Sequence, residues 1–259
     1  MTETALDRAH RDMETGDAAR LKFYEVLADS ELFLLLACQA EGDVIEPQVI
    51  EVDGQSFVLA FDREERLAGF SGQAADFAAF SGRGLAEMLK GQGVGLALNL
   101  EAPSAVLLPD DAVEWLTAML AETPQEAQGG VQEITAPSLP EAVVQALDGK
   151  LARAAGLARA AWLVGARFEG GRDGHLLAIL GAVPEAEAAL AKSVGEALAF
   201  SGMADGAVDV TFLPEDGNLT ARFARVGLRF DLPEPEPVEE VQVPGGAPGM
   251  DPSKPPVLK

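Results

Sequence analysis

Runs of apolar residues separated by polar ones predict a succession of short helices and strands. In residues 17–29 the apolar side chains recur at steps of three, which predicts an amphipathic helix. The run ELFLLLAC at 31–38 is too short and too uniformly apolar for a surface helix, so it predicts a buried strand. Apolar stretches at 47–52 and 55–62 flank Asp53-Gly54, a pair that favours the type I′ turn of a hairpin.

The same criteria predict further elements up to residue 121. Residues 5–14 are typical of a short polar helix or a frayed end, and residues 74–80 allow no clear assignment. The remaining elements are a short helix at 63–70, a helix at 83–90, strands at 94–100 and 104–108, and a helix at 111–121.

The rest of the chain predicts a linker, a second folded unit and a tail. Residues 122–138 hold few large apolar side chains, which indicates a linker. Residues 231–259 hold 8 of the 16 prolines and no aromatic residue, so they predict a disordered acidic tail that cannot offset its ordering entropy. Between them we expect helices after Pro140 and Pro184, strands within 157–168 and at 175–180, a second hairpin from 207–213 and 219–223, and a last strand at 226–230.

These elements together predict an α+β fold. Hairpins imply antiparallel pairing, whereas a doubly wound parallel sheet needs alternating strands and helices. We therefore expect two small domains, 1–121 and 139–230, each with a mainly antiparallel sheet packed against helices.

Composition narrows the function mainly by exclusion. The 259 residues hold 19 Lys and Arg against 42 Asp and Glu, and the formal charge of −23 argues against recognition of nucleic-acid phosphates. One cysteine excludes a disulfide framework or a thiolate metal cluster, and two histidines leave little for histidine-based catalysis. We expect no metal and no cofactor.

The expected compartment and partner follow from the distribution of apolar and charged residues. No apolar run approaches the roughly 20 residues needed to span a bilayer, and residues 1–20 lack the apolar stretch of a signal peptide. We therefore expect a cytoplasmic protein that binds no membrane. Residues 1–121 carry −14 of the charge, residues 122–230 carry −5 and residues 231–259 carry −4. This uneven acidity favours a basic protein as partner.

Several short motifs suggest chemistry, but each has a simpler structural interpretation. The glycines of 91–95 mimic a phosphate loop, yet they follow a predicted helix and precede a strand, the reverse of a dinucleotide fingerprint. The Phe-Ser-Gly segments at 70–72, 80–82 and 200–202 lack the pattern G-x-S-x-G, so we interpret them as element ends. Cys38 has only acidic neighbours, and we expect it to be a small core hydrophobe.

Three segments of the first half resemble a known family. They are KFYEVLADSELFLLLA from Lys22, LAFDREERL at 59–67 and GLALNLE at 95–101. Together they resemble the N-terminal domain of the SseB family, named for enhanced serine sensitivity, although Leu100 and Glu101 replace the Pro and Gly of the family pattern. Residues 139–230 look like the second domain of that family. The resemblance implies a small bacterial cytoplasmic α+β protein and no particular reaction.

The charged cluster at 62–66 is the densest in the chain. Its alternating signs are typical of a solvated first helical turn with Asp62 as N-cap, while a divalent cation site or an acid–base pair are the alternatives. The resemblance adds a reason to expect a shared site, since four of the residues below match family motif positions. The candidate binding patch is Phe61, Asp62, Glu64, Glu65, Arg83 and Asn99.

These observations favour a non-catalytic protein-binding or adaptor module, and no catalytic residue is assigned. The alternative is a small-molecule enzyme or sensor with a pocket near Phe61, Asp62, Arg83 and Asn99, which a deep cavity at those residues would favour. A self-associating structural module is a third interpretation, and the sequence leaves the oligomeric state open.

Overall fold

The computed structural model describes residues 3–39, 45–121, 130–203 and 207–233. The predicted disordered tail, apart from residues 231–233, and residues 122–129 of the predicted linker lie outside these residues. The first half consists of α1 (Ala5–Asp12), α2 (Asp17–Asp29), β1 (Glu31–Leu35), β2 (Val49–Val52), β3 (Gln55–Phe61), α3 (Glu64–Ser71), β4 (Phe77–Ser81), α4 (Gly82–Leu89), β5 (Gly95–Leu98), β6 (Val106–Leu108) and α5 (Asp110–Ala121). The second half consists of β7 (Val131–Thr135), α6 (Glu141–Leu151), β8 (Ala160–Phe168), β9 (Asp173–Leu180), α7 (Glu187–Phe200), β10 (Val208–Leu213), α8 (Gly217–Phe223) and β11 (Leu228–Asp231).

The strands form two sheets whose pairing is mostly antiparallel, which confirms the α+β prediction. The first sheet has the order β4-β1-β3-β5-β6, with β2 also pairing with β3, and only β3 and β5 run parallel. The second has the order β10-β9-β8-β11, with β7 also pairing with β8, and only β9 and β10 run parallel.

Helices cover both sheets and give each its own core. Leu27 of α2, Leu85 of α4 and Leu116 of α5 pack on one face of the first sheet, while Leu67 of α3 packs on the other. In the second sheet one face packs against α6 and α7, and the other packs against Phe223 of α8. The division into domains at 121 and 139 stays a prediction.

The hairpin predicted at Asp53-Gly54 is confirmed. Strands β2 and β3 pair on either side of it, with Val52 opposite Gln55. Asp53 and Gly54 have φ angles of 52° and 82°, the left-handed values that both positions of a type I′ turn require.

Other local predictions are wrong or incomplete. The second hairpin is wrong, because 217–223 is helical and β10 pairs in parallel with β9 after the crossover through α7. The Asp216 side chain accepts from the backbone N–H of Asn218 and so caps this helix. Residues 131–135, within the segment predicted as a linker, form the strand β7. The unassigned stretch 74–80 contains most of β4.

Candidate binding groove and the buried network beside it

The structure places the six residues of the candidate patch in three different environments. Phe61 and Asn99 have no exposed surface, and the side chain of Asp62 is 5 % exposed. Glu64 and Glu65 are exposed in the first turn of α3. Arg83 lies in a separate cluster at the junction of the two halves, described below.

Asp62 and Asn99 belong to a buried polar network that was not predicted from the sequence. Its centre is Arg66, whose Nη1 donates to Asp62 Oδ1 at 2.9 Å and whose Nη2 donates to Asp7 Oδ2 at 2.6 Å. Ser104 Oγ accepts from Arg66 Nη1 at 3.1 Å and from Asn99 Nδ2 at 3.0 Å. Its own hydroxyl donates to Asp7 Oδ1. Each charged side chain in the network thus has an ion-pair partner, and of the three Arg66 nitrogens only the buried Nε makes no hydrogen bond.

Backbone geometry holds Asn99 in position after β5. Its φ of 51° is left-handed, a conformation that asparagine tolerates better than most residues. Its backbone N–H donates to the carbonyl of Ala60, and its Oδ1 accepts the backbone N–H of Asp62 at 2.9 Å. The prediction that Asp62 caps α3 is wrong, because Arg63 occupies the N-cap and makes no side-chain capping bond.

The network attaches helix α1 to the sheet. Thr4 and Asp7 form a capping box at the start of α1, and Thr4 Oγ1 also donates to Asp62 Oδ2 at 2.7 Å. Burial alone would raise the pKa of Asp7, but hydrogen bonds from Arg66, Ser104 and the Thr4 backbone outweigh it and hold that pKa well below its usual range. The hydrogen bond to Asp7 raises the pKa of Arg66 in turn.

A groove of about 770 Å³ opens beside this network. Its walls come from α1 and the segments on either side of it, from α3, and from the loop between β5 and β6. The lining residues are Glu3, Asp7, His10, Arg11, Glu14, Glu65, Arg66, Gly69, Phe70, Leu100, Glu101, Ala102 and Pro103. Of the predicted patch, Glu65 lines the groove and the other five residues do not.

The charges in the groove are unevenly compensated. Arg66 is paired with Asp7 and Asp62, and Arg11 with Glu3 and Asp12. By contrast, three lining carboxylates, all on exposed residues, make no ion pair with any residue that the structure describes: Glu14, Glu65 and Glu101. The groove therefore combines surplus negative charge with apolar contributions from Phe70, Leu100 and Pro103.

Arg83 lies in a charged cluster between the two halves. Its guanidinium donates to Glu196 Oε1 at 2.8 Å and contacts Asp29. Lys150, whose side chain is 6 % exposed, approaches Asp29 Oδ2 at 2.8 Å, Glu196 Oε2 at 3.5 Å and Glu25 Oε1 at 3.6 Å. Burial raises the pKa of Asp29, but the contacts with Lys150 and Arg83 outweigh it, so the pKa is lowered.

The remaining candidate motifs have structural roles. Gly91 and Gly93 adopt left-handed φ angles of 70° and 66° in the turn after α4. The Ser71 and Ser201 hydroxyls donate to backbone carbonyls at helix ends, while Ser81 caps the start of α4. These positions confirm the interpretation of the Phe-Ser-Gly segments as element ends.

Cys38 is exposed, so its assignment to the core is wrong. Strand β1 ends at Leu35, before the cysteine, so the thiol lies in the segment that follows β1. A hydrogen bond to Glu46 raises the pKa of the thiol. Within the described ranges, no three His, Cys, Asp or Glu side chains are grouped to hold a metal ion, and no helix has the length and apolar character to cross a membrane.

Fold and site together define a two-sheet α+β protein whose N-terminal helix is attached by a buried ion-pair network beside an acidic groove. Residues 3–115 match the family profile described as the SseB protein N-terminal domain. This part of the chain is thus an SseB N-terminal domain, as its motifs indicate, and the matched region contains both the network and the groove. Neither a curated protein nor a solved structure shows significant similarity to the chain.

Proposed function

We propose that this protein is a non-catalytic binding module that holds a basic, partly apolar segment of a partner protein in the groove. The observation that carries the proposal is the set of three lining carboxylates that make no ion pair with described residues, Glu14, Glu65 and Glu101, which come from three different segments of the groove wall. Lys and Arg side chains of a partner would compensate these charges. The apolar surface of Phe70, Leu100 and Pro103 would contact an adjoining apolar side chain.

One property of the whole chain supports a basic partner, and another supports the proposed compartment. The first 121 residues carry a charge of −14, and such a field raises the rate at which a basic protein encounters the groove. The single cysteine agrees with the reducing cytoplasm in which we place this function.

Peptide selection followed by charge reversal tests the proposal. From a random peptide library displayed against the full chain, we expect enrichment of sequences in which Lys or Arg flank an apolar residue. Glu65→Lys and Glu101→Lys should each weaken binding of a selected peptide by about tenfold or more, measured by fluorescence anisotropy, since a like charge replaces an attractive one.

Glu64→Lys is the matched control. Glu64 occupies the same exposed helical turn as Glu65 but does not line the groove, so the charge change and the effect on the helix dipole are the same. Glu64→Lys should retain nearly full affinity. Equal losses in Glu64→Lys and Glu65→Lys would point to net charge alone, and a selection without basic residues would overturn the proposal.

A further inference from the structure

Strand β4 is an exposed edge of the first sheet. It pairs with β1 on one side, and no strand among the described residues pairs with its other side. The side chains of Phe77, Ala79 and Ser81 are exposed, with Phe77 39 % exposed. An apolar edge strand of this kind exposes free backbone groups to which another strand can add.

Two hydrogen bonds fix which backbone groups of β4 are free. Leu36 donates its N–H to the carbonyl of Asp76, and Gly82 donates its N–H to the carbonyl of Ser30. In an antiparallel pair the residues that bond to the neighbour alternate along the strand. Since residues 76 and 82 bond toward β1, residues 78 and 80 do so as well, and residues 77, 79 and 81 direct their N–H and C=O groups outward.

This alternation of hydrogen-bonding groups allows β4 to pair with a second copy of itself. When a second β4 lies antiparallel with Ala79 opposite Ala79, the outward groups of 77, 79 and 81 meet those of 81, 79 and 77. In the same register Phe77 lies opposite Ser81 and Phe80 opposite Ala78, so each aromatic ring faces a small side chain. The side chains that face each other and the backbone groups that point outward both fit a twofold axis through Ala79.

The charges around β4 also fit a second copy. Residues 77–81 carry no charged side chain, so two chains of charge −23 oppose no like charges along the strand. Asp76, which is exposed and makes no ion pair with described residues, precedes the strand, and Arg83 follows it. In the twofold register Asp76 of one copy lies opposite the uncharged Gly82 of the other, while Arg83 stays paired with Asp29 and Glu196, so no like charges face each other at either end.

We propose that β4 is the interface of a twofold-symmetric homodimer, in which the two first sheets join through antiparallel β4 strands. No residue that lines the groove belongs to β4, so dimer formation and binding in the groove use separate surfaces. The dimer presents two grooves to a partner.

Substitutions at Ala79 test the twofold axis, because this residue meets its own copy there. We expect the full chain to have twice its mass of 27.1 kDa by light scattering during gel filtration. Ala79→Lys and Ala79→Glu should each be monomeric, since each places two like charges opposite one another. An equal mixture of the two variants should form dimers again, because Lys then lies opposite Glu.

Leu107→Lys on β6, at the opposite edge of the sheet and 38 % exposed, is the control and should remain dimeric. Recovery of a dimer in the mixture would show that both variants are folded, because variants that fail to fold could not form one. A monomeric wild-type chain, a dimeric Ala79→Lys variant, or a mixture of folded variants that stays monomeric would each overturn the proposal. Protection of the β4 amides only after addition of a basic peptide would assign the edge to a partner strand instead.

Discussion

At the scale of single residues, Asp7 connects more of the first half than its position near the N-terminus suggests. Its carboxylate bonds with Arg66 and Ser104, and its backbone joins the capping box with Thr4. Its side chain is only 10 % exposed, so the loss of its charge leaves Arg66 incompletely compensated in a buried site.

Asp7→Asn should lower the free energy of unfolding by about 3 kcal/mol at neutral pH, the cost typical of removing one partner of a buried ion pair. The measurement is urea unfolding followed by circular dichroism. Asp17→Asn is the control, since Asp17 is 93 % exposed and among the described residues pairs only with Arg20, and it should change stability by less than about 0.5 kcal/mol. Equal stabilities of the two variants would contradict the role given to Asp7.

The lowered pKa of Asp7 also predicts a pH dependence. Because this pKa is lower in the folded chain than the value of about 3.9 in the unfolded chain, the contribution of Asp7 is complete at neutral pH. It decreases as the pH falls below about 4, toward the folded pKa. The stability difference between the wild type and Asp7→Asn should therefore shrink on acidification, and a difference that is constant from pH 7 to pH 3 would contradict this.

Only part of the network was predictable from the sequence. Arg66 follows Asp62 by four residues, a spacing that brings side chains together on a helix, and this signal could have identified the pair. Asp7 lies 59 residues from Arg66 and Ser104 lies 38 residues from it, and no local pattern indicates those contacts. The motif residues Phe61 and Asn99 were expected in a binding patch, and the fold buries them.

At the scale of elements, those that adjacent residues determine were predictable from the sequence, and those that depend on distant contacts were not. The Asp53-Gly54 hairpin was predictable because two adjacent residues determine its turn. The strand β7 was not predictable from its own composition. Residues 131–135 form a strand because they pair with β8. Residues 219–223 were predicted as a strand, but the Asp216 cap and the contacts of Phe223 make 217–223 helical.

The packing of α4 on α2 depends on the absence of a side chain at Gly82. A Cβ atom built there would lie 1.9 Å from the backbone carbonyl oxygen of Leu27, and backbone cannot give way as a flexible side chain can. Gly82→Ala should therefore cost about 1–3 kcal/mol or more of unfolding free energy, measured by urea unfolding.

The control for this change is Gly149→Ala in α6, where a Cβ would meet no atom within 4 Å. Alanine is a better helix former than glycine, so this variant should be unchanged or more stable by about 0.5–1 kcal/mol. Destabilisation of both variants to the same extent would show that close packing at Gly82 is not the cause.

At the scale of the whole molecule, the two halves are joined by buried charge and by shared apolar contacts. Phe200 of α7 packs in the core of the first half, and Lys150 of α6 approaches three carboxylates, two of which, Glu25 and Asp29, belong to α2. A buried cation with these partners favours one relative position of the halves, since displacement would leave charges without compensation.

Lys150→Ala should lower the free energy of unfolding by about 3–5 kcal/mol, because it leaves buried carboxylates short of a partner. Lys192→Ala is the control, since the exposed Lys192 lines the same crevice of about 190 Å³ and should change stability by less than about 0.5 kcal/mol. Both are measured by calorimetry, and similar melting temperatures for the two variants would contradict a stabilising role for the junction.

The central claim is that the acidic groove holds a basic segment of a partner, and mapping the bound peptide tests it most directly. The isotope-labelled full chain is titrated with a selected basic peptide, and the amide chemical shifts are recorded by NMR. The account predicts that the largest shifts lie at Glu14, Glu65, Phe70 and Glu101, which line the groove. Largest shifts in the second half, or along β4, with none in the groove would contradict it.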